Sequence, residues 1–159
     1  MLVTDSYGVR GGIAHYNRCV ARALSEVAEV ESIEVLPRLI TDPVGQLPLR
    51  VSLRAEAANS KTRYLRSALG QYVKHHDLVF CGHLNLLPVA AVVALLKRAR
   101  LVLQVHGIEA WKRPSVLKRL AMRRVDAIWS VSGVTRDRMN SWAGLPPDKY
   151  AIIPNTIDF

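Results

Sequence analysis

The chain has 159 residues, half of them hydrophobic and 22% charged, enough to bury the core of one domain and too apolar for extended disorder. Lys and Arg outnumber Asp and Glu by 22 to 13, and the excess sits in the middle: residues 50–124 carry 15 basic and 3 acidic groups (+12), against −2 for residues 1–49 and −1 for residues 125–159. That asymmetry points to an anionic partner at one face, whether phosphorylated substrate, anionic lipid or nucleic acid. Two cysteines, Cys19 and Cys81, have neither metal-ligand spacing nor disulfide-framework density, which favours a reducing compartment. The N-terminal residues lack the basic and apolar regions of a signal peptide. The longest apolar run, Leu86 to Leu96, is 11 residues, short of the ~20 that span a bilayer.

Taken in chain order, aliphatic runs alternate with helical patterns. Leu2–Thr4 predicts a short strand, followed by a loop over Asp5–Gly11 and a helix from about Gly12 to Ala28. Ile33–Leu36 predicts a second strand, stopped by Pro37, and residues 38–50, with Pro43, Gly45 and Pro48, predict a long loop. Tyr64, Leu65, Ala68, Leu69, Tyr72 and Val73 mark one face of a helix. Leu78–Cys81 is the next strand, and a helix from Leu86 to Arg98 follows, with Asn85 as its expected cap. Leu101–Val105 is a strand ending at His106-Gly107. A short basic helix after Pro114 is expected to turn Val116, Leu117, Leu120 and Ala121 inward. Ala127–Val131 is a strand, Ser132 caps a helix running to Trp142, and Tyr150–Ile153 closes the series before Pro154.

This alternation implies right-handed crossovers, hence a Rossmann-like α/β fold with a parallel sheet and helices on both faces. Ligands bind beyond the carboxyl ends of such strands, here Asp5–Gly12, Cys81–Asn85, His106–Arg113, Ser132–Gly133 and Pro154–Asp158. Gly8, Gly11 and Gly12 do not make the G-x-G-x-x-G of a dinucleotide fold, and their loop is too long for its tight turn. His75-His76 reads as a solvated helix end rather than a metal site. No metal site is expected.

Four segments carry a resemblance. Gly11-Gly12-Ile13-Ala14-His15-Tyr16-Asn17-Arg18 opens the first helix, and His106-Gly107-Ile108-Glu109-Ala110-Trp111 follows a strand. Val131-Ser132-Gly133-Val134-Thr135-Arg136-Asp137 opens a later helix, and Ile153-Pro154-Asn155-Thr156-Ile157-Asp158 lies at the end. In this order and spacing they resemble the N-terminal half of GT-B-fold, nucleotide-sugar-dependent glycosyltransferases of retaining family four, in the bacterial exopolysaccharide branch. The resemblance covers residues 1–159, read as one N-terminal Rossmann-like domain whose donor-binding C-terminal partner is not in the chain.

The resemblance implies a hexosyltransferase whose co-substrate is a GDP- or UDP-linked sugar, with no other cofactor, acting on a growing, lipid-linked saccharide. It implies that Gly11, Gly12 and Ile13 contact the donor. Glycine and a helix N-terminus suit a developing diphosphate charge, although the glycines also fit a plain turn. It implies that His106 hydrogen-bonds the donor sugar and helps stabilise the transition state; without it, a lone histidine there reads as structural. Tyr16, Asn17, His83, Asn85, Gly107 and Glu109 are the acceptor-side candidates. Glu109, the only acid between Asp77 and Asp126, either orients the acceptor hydroxyl, accepts its proton, or pairs with Arg113. The basic stretches 61–74 and 97–124 suit an anionic membrane surface, giving a cytoplasmic protein held peripherally at the inner membrane face. Two other readings stand beside this one: a non-catalytic sugar or anionic-lipid binding module, and a nucleic-acid binder. The second is suggested by charge alone, since the basic stretch has little aromatic interleaving, and no nucleic acid is expected as a partner.

Overall fold

A computed structural model describes residues 1–70 and 75–155. The expected helix positions Tyr72 and Val73, the basic Lys74, and Thr156 to Asp158 of the last segment lie outside the described residues. The chain packs as two compact units, Met1–Gln71 and Tyr72–Phe159. The fold is α/β and Rossmann-like, with every paired strand parallel to its neighbour.

In the first unit, β1 (Leu2–Val3), β2 (Ile33–Pro37) and β3 (Val51–Leu53) lie in the order β3-β2-β1. Helix α1 (Gly12–Ser25) buries Ala14, Tyr16, Asn17, Val20 and Ala21 at helical spacing. Val3, Tyr7, Ala21, Ile33, Val35 and Val51 form one core cluster. Helix α2 (Lys61–Gly70) buries Tyr64 and Ala68 and leaves Lys61, Arg63 and Arg66 exposed. Two expectations are corrected here. Strand β3 falls just past the predicted loop, and α1 ends at Ser25, where Glu26 begins a turn, rather than at Ala28.

In the second unit the order is β4 (Leu78–Cys81), β5 (Arg100–Val105), β6 (Ala127–Ser130), β7 (Tyr150–Ile152). The intervening helices are α3 (Leu87–Lys97), α4 (Ile108–Trp111), α5 (Val116–Met122) and α6 (Gly133–Ala143). Leu87, Leu101, Leu103, Val105, Ile128 and Met139 are fully buried. Ser132 caps α6 as expected, its Oγ accepting from the Thr135 N–H at 3.1 Å. Asn85 does not cap α3; it lies in a 3₁₀ turn, Leu84–Leu86, capped by His83.

The orientation of α5 also departs from expectation. Val116, Leu117 and Leu120 are 61%, 63% and 53% exposed, while Met122 at the helix end is 4% exposed. The helix has only seven residues and packs on α3, with its largest apolar side chains turned to solvent.

Burial sets the ionisation of two groups. The Cys81 thiol is pushed up from 9.0 to about 12, chiefly by burial, and the Tyr16 hydroxyl from 10.0 to about 12 for the same reason. An unfolded chain sheds the Cys81 proton above pH 9 and the folded one retains it, so this stability is complete below pH 9 and is lost as pH rises toward 12. The slope is about 1.4 kcal/mol per pH unit for one such group. Urea titrations at pH 8, 9 and 10 are expected to show falling stability above pH 9 and a shallower fall in Cys81→Ala. In the native protein a thiol reagent is expected to label the half-exposed Cys19 and to spare Cys81.

Candidate functional site

In the first unit, the loop after β1 is held from beneath by α1. Asn17 Nδ2 donates to the Asp5 carbonyl at 2.8 Å, and Arg18 Nη1 to the Ser6 and Val9 carbonyls at 2.8 and 2.9 Å. Thr4 Oγ1 donates to the Asp5 carboxylate. The loop ends in Gly11, at φ 130°, and Gly12, the first residue of α1; a Cβ on either would meet nothing within 4 Å. Open space therefore lies over the first-turn amides, which no side chain caps. Ile13 is half-buried beside them.

Tyr16 and Asn17, expected on the acceptor side, are 3% and 0% exposed. Their side chains brace the loop and fill the core, which corrects that expectation. Gly8 was not singled out as a site residue, yet it is closely constrained. It has φ 74°, its carbonyl accepts from Thr41 N–H at 2.8 Å and Asp42 N–H at 2.9 Å, and a Cβ there would lie 2.8 Å from Asp42 O and 2.9 Å from Ile40 Cγ2. Gly8→Ala is expected to cost roughly 2–4 kcal/mol, from left-handed strain plus overpacking, read as a lower urea midpoint.

In the second unit, parallel pairing of β4 with β5, Cys81 opposite Leu103, sets their carboxyl ends side by side. His106 Nε2 donates to the Gly82 carbonyl at 3.0 Å, which assigns the ring proton to Nε2 and makes Nδ1 the acceptor of the neutral ring. The His106 backbone N–H donates to Glu109 Oε1 at 2.5 Å. Ring and backbone of His106 are thus both tied down. Glu109 is engaged with His106, and Arg113 forms no ion pair with it among the described residues. Gly107, at φ 155° and ψ −116°, holds a conformation that a Cβ disfavours.

The His83 ring lies 6.4 Å from that of His106, centroid to centroid. His83 Nδ1 accepts from the Asn85 N–H at 3.0 Å, placing the neutral ring's proton on Nε2. The Asn85 side chain accepts from Lys118 Nζ at 2.5 Å, so the basic helix α5 reaches into this turn. His83, Asn85, His106, Gly107 and Glu109 are therefore brought together, as expected of strand-end residues.

Two tryptophans that were not among the expected site residues secure this cluster. Trp142 Nε1 on α6 donates to the Ala110 carbonyl of α4 at 2.7 Å, and the Arg138 guanidinium lies 4.0 Å over the Trp111 ring. Helix α4, which carries Glu109, is pinned to α6 by these contacts. The visible signal was a tryptophan at the end of each helix, each with one N–H to satisfy. His75 pairs loosely with Asp77 at 3.7 Å. Among the described residues no three His, Cys, Asp or Glu side chains gather to hold a metal ion, and no helix is long and apolar enough to cross a membrane.

The model of the family described as Glycosyltransferase Family 4 matches residues 10–159. The chain belongs to this family. Solved structures agree in fold. Anabaena Alr3699/HepE in complex with UDP superposes with a TM-score of 0.62 at 16% identity, over 99% of this chain and 44% of that one. The same protein with UDP-glucose gives 0.62 at 17%, over 99% and 44%. The lipopolysaccharide outer core galactosyltransferase WaaB, in its apo form, gives 0.66 at 9%, over 98% and 45%. This family 4 chain thus spans less than half the length of these structures. No curated protein matches it in sequence.

Proposed function

We propose that the chain is the N-terminal, acceptor-side domain of a longer GT-B glycosyltransferase, which moves a hexose with retention from a nucleotide sugar to a growing, lipid-linked bacterial surface polysaccharide. The observation that carries this reading is the doubly anchored His106 at the carboxyl end of β5, facing His83 across two adjacent strand ends. Support for the donor class comes from the family match and from Anabaena HepE, whose structures contain UDP and UDP-glucose; UDP- and GDP-linked sugars both remain candidates here.

In this reading His106 offers Nδ1 to a hydroxyl of the transferred sugar, in an orientation fixed before the substrate arrives. Glu109 positions His106 through the backbone, its Oε1 accepting from the His106 N–H. His83, Asn85 and Gly107 line the acceptor side. The outward cations Lys61, Arg63 and Arg66 of α2, with Arg98, Arg100, Lys112, Arg113 and Arg123, hold the enzyme at the inner face of an anionic membrane, each suitably placed charge contributing about 1 kcal/mol. Arg124 is excluded from that role, since it ties the Ala99 carbonyl and Asp126.

The test is a panel of radiolabelled UDP- and GDP-sugars with full-length enzyme and a membrane-lipid extract. Label entering the lipid fraction, with the anomeric configuration retained, supports the reading; absence of transfer from every donor overturns it. The outward apolar face of α5 favours a second reading, a non-catalytic lipid-binding module. That reading expects lipid binding by the same protein with no consumption of any nucleotide sugar.

A further inference from the structure

Helix α4 is a single turn of four residues, Ile108–Trp111. A helix that short has no stability of its own and leaves its last carbonyls without helical partners. Its place is set by what it packs on, and α6 is its packing partner. It carries Glu109, whose Oε1 accepts from the His106 N–H at 2.5 Å. The position of one helical turn therefore decides whether the His106 backbone is held.

Contacts from α6 reach two different parts of α4. The Arg138 guanidinium lies over the Trp111 ring, and Thr135 Oγ1 accepts from Trp111 Nε1 at 3.5 Å; both hold a side chain at the end of the turn. Trp142 Nε1 instead donates to the Ala110 carbonyl at 2.7 Å, on the backbone of the residue that follows Glu109. Ala110 is fully buried, so the indole N–H is what satisfies that carbonyl. Trp142 is itself well fixed. Asn140, two residues earlier, accepts through Oδ1 from the Leu145 N–H at 2.9 Å and from the Tyr150 hydroxyl at 3.2 Å. These bonds tie the end of α6 to β7, and the neighbouring Met139 is fully buried.

We propose that Trp142 is a positioning residue for sugar transfer. By holding the Ala110 carbonyl it keeps Glu109 on the His106 amide, and so fixes the imidazole at the carboxyl end of β5. Its indole N–H is engaged by that carbonyl, so Trp142 acts through the backbone of α4 and not on substrate. The catalytic consequence rests on the transferase reading above; the link from Trp142 to His106 rests on the contacts themselves.

The test follows the ring nitrogens of His106 by NMR in full-length enzyme labelled with ¹⁵N-histidine, without substrate, the signals being assigned by their loss in His106→Gln. The neutral ring of the wild type is expected to show one tautomer, protonated at Nε2. Trp142→Phe keeps an aromatic ring and removes the N–H. It is expected to draw the two nitrogen shifts together as the tautomers mix. Trp129→Phe makes the same change in a ring that packs edge-on against Phe80 at 5.5 Å, and is expected to lower stability without moving the His106 shifts. Because the path runs through Glu109, Trp142→Phe combined with Glu109→Ala is expected to displace the shifts no further than Glu109→Ala alone. In turnover, Trp142→Phe is expected to lower kcat about tenfold while KM for the nucleotide sugar stays within about twofold. Unmoved His106 shifts in Trp142→Phe, equal displacement by Trp129→Phe, or additive shifts in the double variant overturn the proposal. Shifts that move while transfer is unaffected by Trp142→Phe and His106→Ala alike reject instead the catalytic role of His106, and leave the link from Trp142 standing.

Discussion

His106→Ala in the full-length enzyme is expected to lower kcat for sugar transfer by roughly 10²–10³-fold, the usual cost of removing one preorganised polar contact from a transition state. The ring is held at Nε2 by the Gly82 carbonyl and the backbone by Glu109, so on the proposed reading the imidazole is already ordered when substrate arrives. Glu109 provides the internal comparison. Glu109→Gln keeps an oxygen that can accept from the His106 N–H, so a positioning role expects a small fall in kcat, with Glu109→Ala costing distinctly more. A general base expects both substitutions to be equally severe and the pH–rate profile to lose its acidic limb in both. Matched thermal unfolding shows whether either loss reflects folding.

Leu117→Ser combined with Leu120→Ser is expected to leave the unfolding free energy within about 1 kcal/mol of wild type, because both side chains are more than half exposed. The same pair is expected to weaken binding to phosphatidylglycerol vesicles by roughly tenfold or more, since each leucine contributes apolar area at the headgroup boundary. Had the two leucines packed inward, as expected from the sequence, the double change would cost several kcal/mol in stability. A second variant, with the exposed Lys112, Arg113 and Arg123 replaced by glutamine, separates charge from insertion. At about 1 kcal/mol per cation it is expected to lower vesicle affinity by roughly 10²–10³-fold at low salt, with the difference shrinking as salt is raised. Stability loss in the leucine pair, or unchanged vesicle binding in both variants, would remove α5 from the membrane surface.

The alternation of strands and helices was legible because buried parallel strands read as continuous aliphatic runs, as at Leu101–Val105, and because α1 repeats its buried positions at helical spacing. Val51–Leu53 escaped because three residues carry no period, and its pairing with Ile33–Val35 is a long-range contact. The spacing of Val116, Leu117 and Leu120 showed that they share a face of α5, but not which way that face turns. At the site, strand ends marked His83, His106 and Glu109. The side-chain links did not show. Which histidine nitrogen carries the proton depends on Gly82 and Asn85 backbone groups brought close by strand register. Lys118 meets Asn85 across 33 residues of sequence. Tyr16 and Asn17 were misplaced for a related reason: a polar residue in a first helical turn looks like a ligand contact until the loop it braces is seen above it.

The most direct measurement is a structure of the full-length enzyme with a nucleotide sugar and a saccharide acceptor bound. The expected result is a hydroxyl of the transferred sugar within about 3 Å of His106 Nδ1, with the acceptor saccharide against His83 and Asn85. A sugar seated elsewhere, with no saccharide oxygen in hydrogen-bond range of His106 or His83, would contradict the assignment of this strand-end cluster as the place where the sugar is transferred.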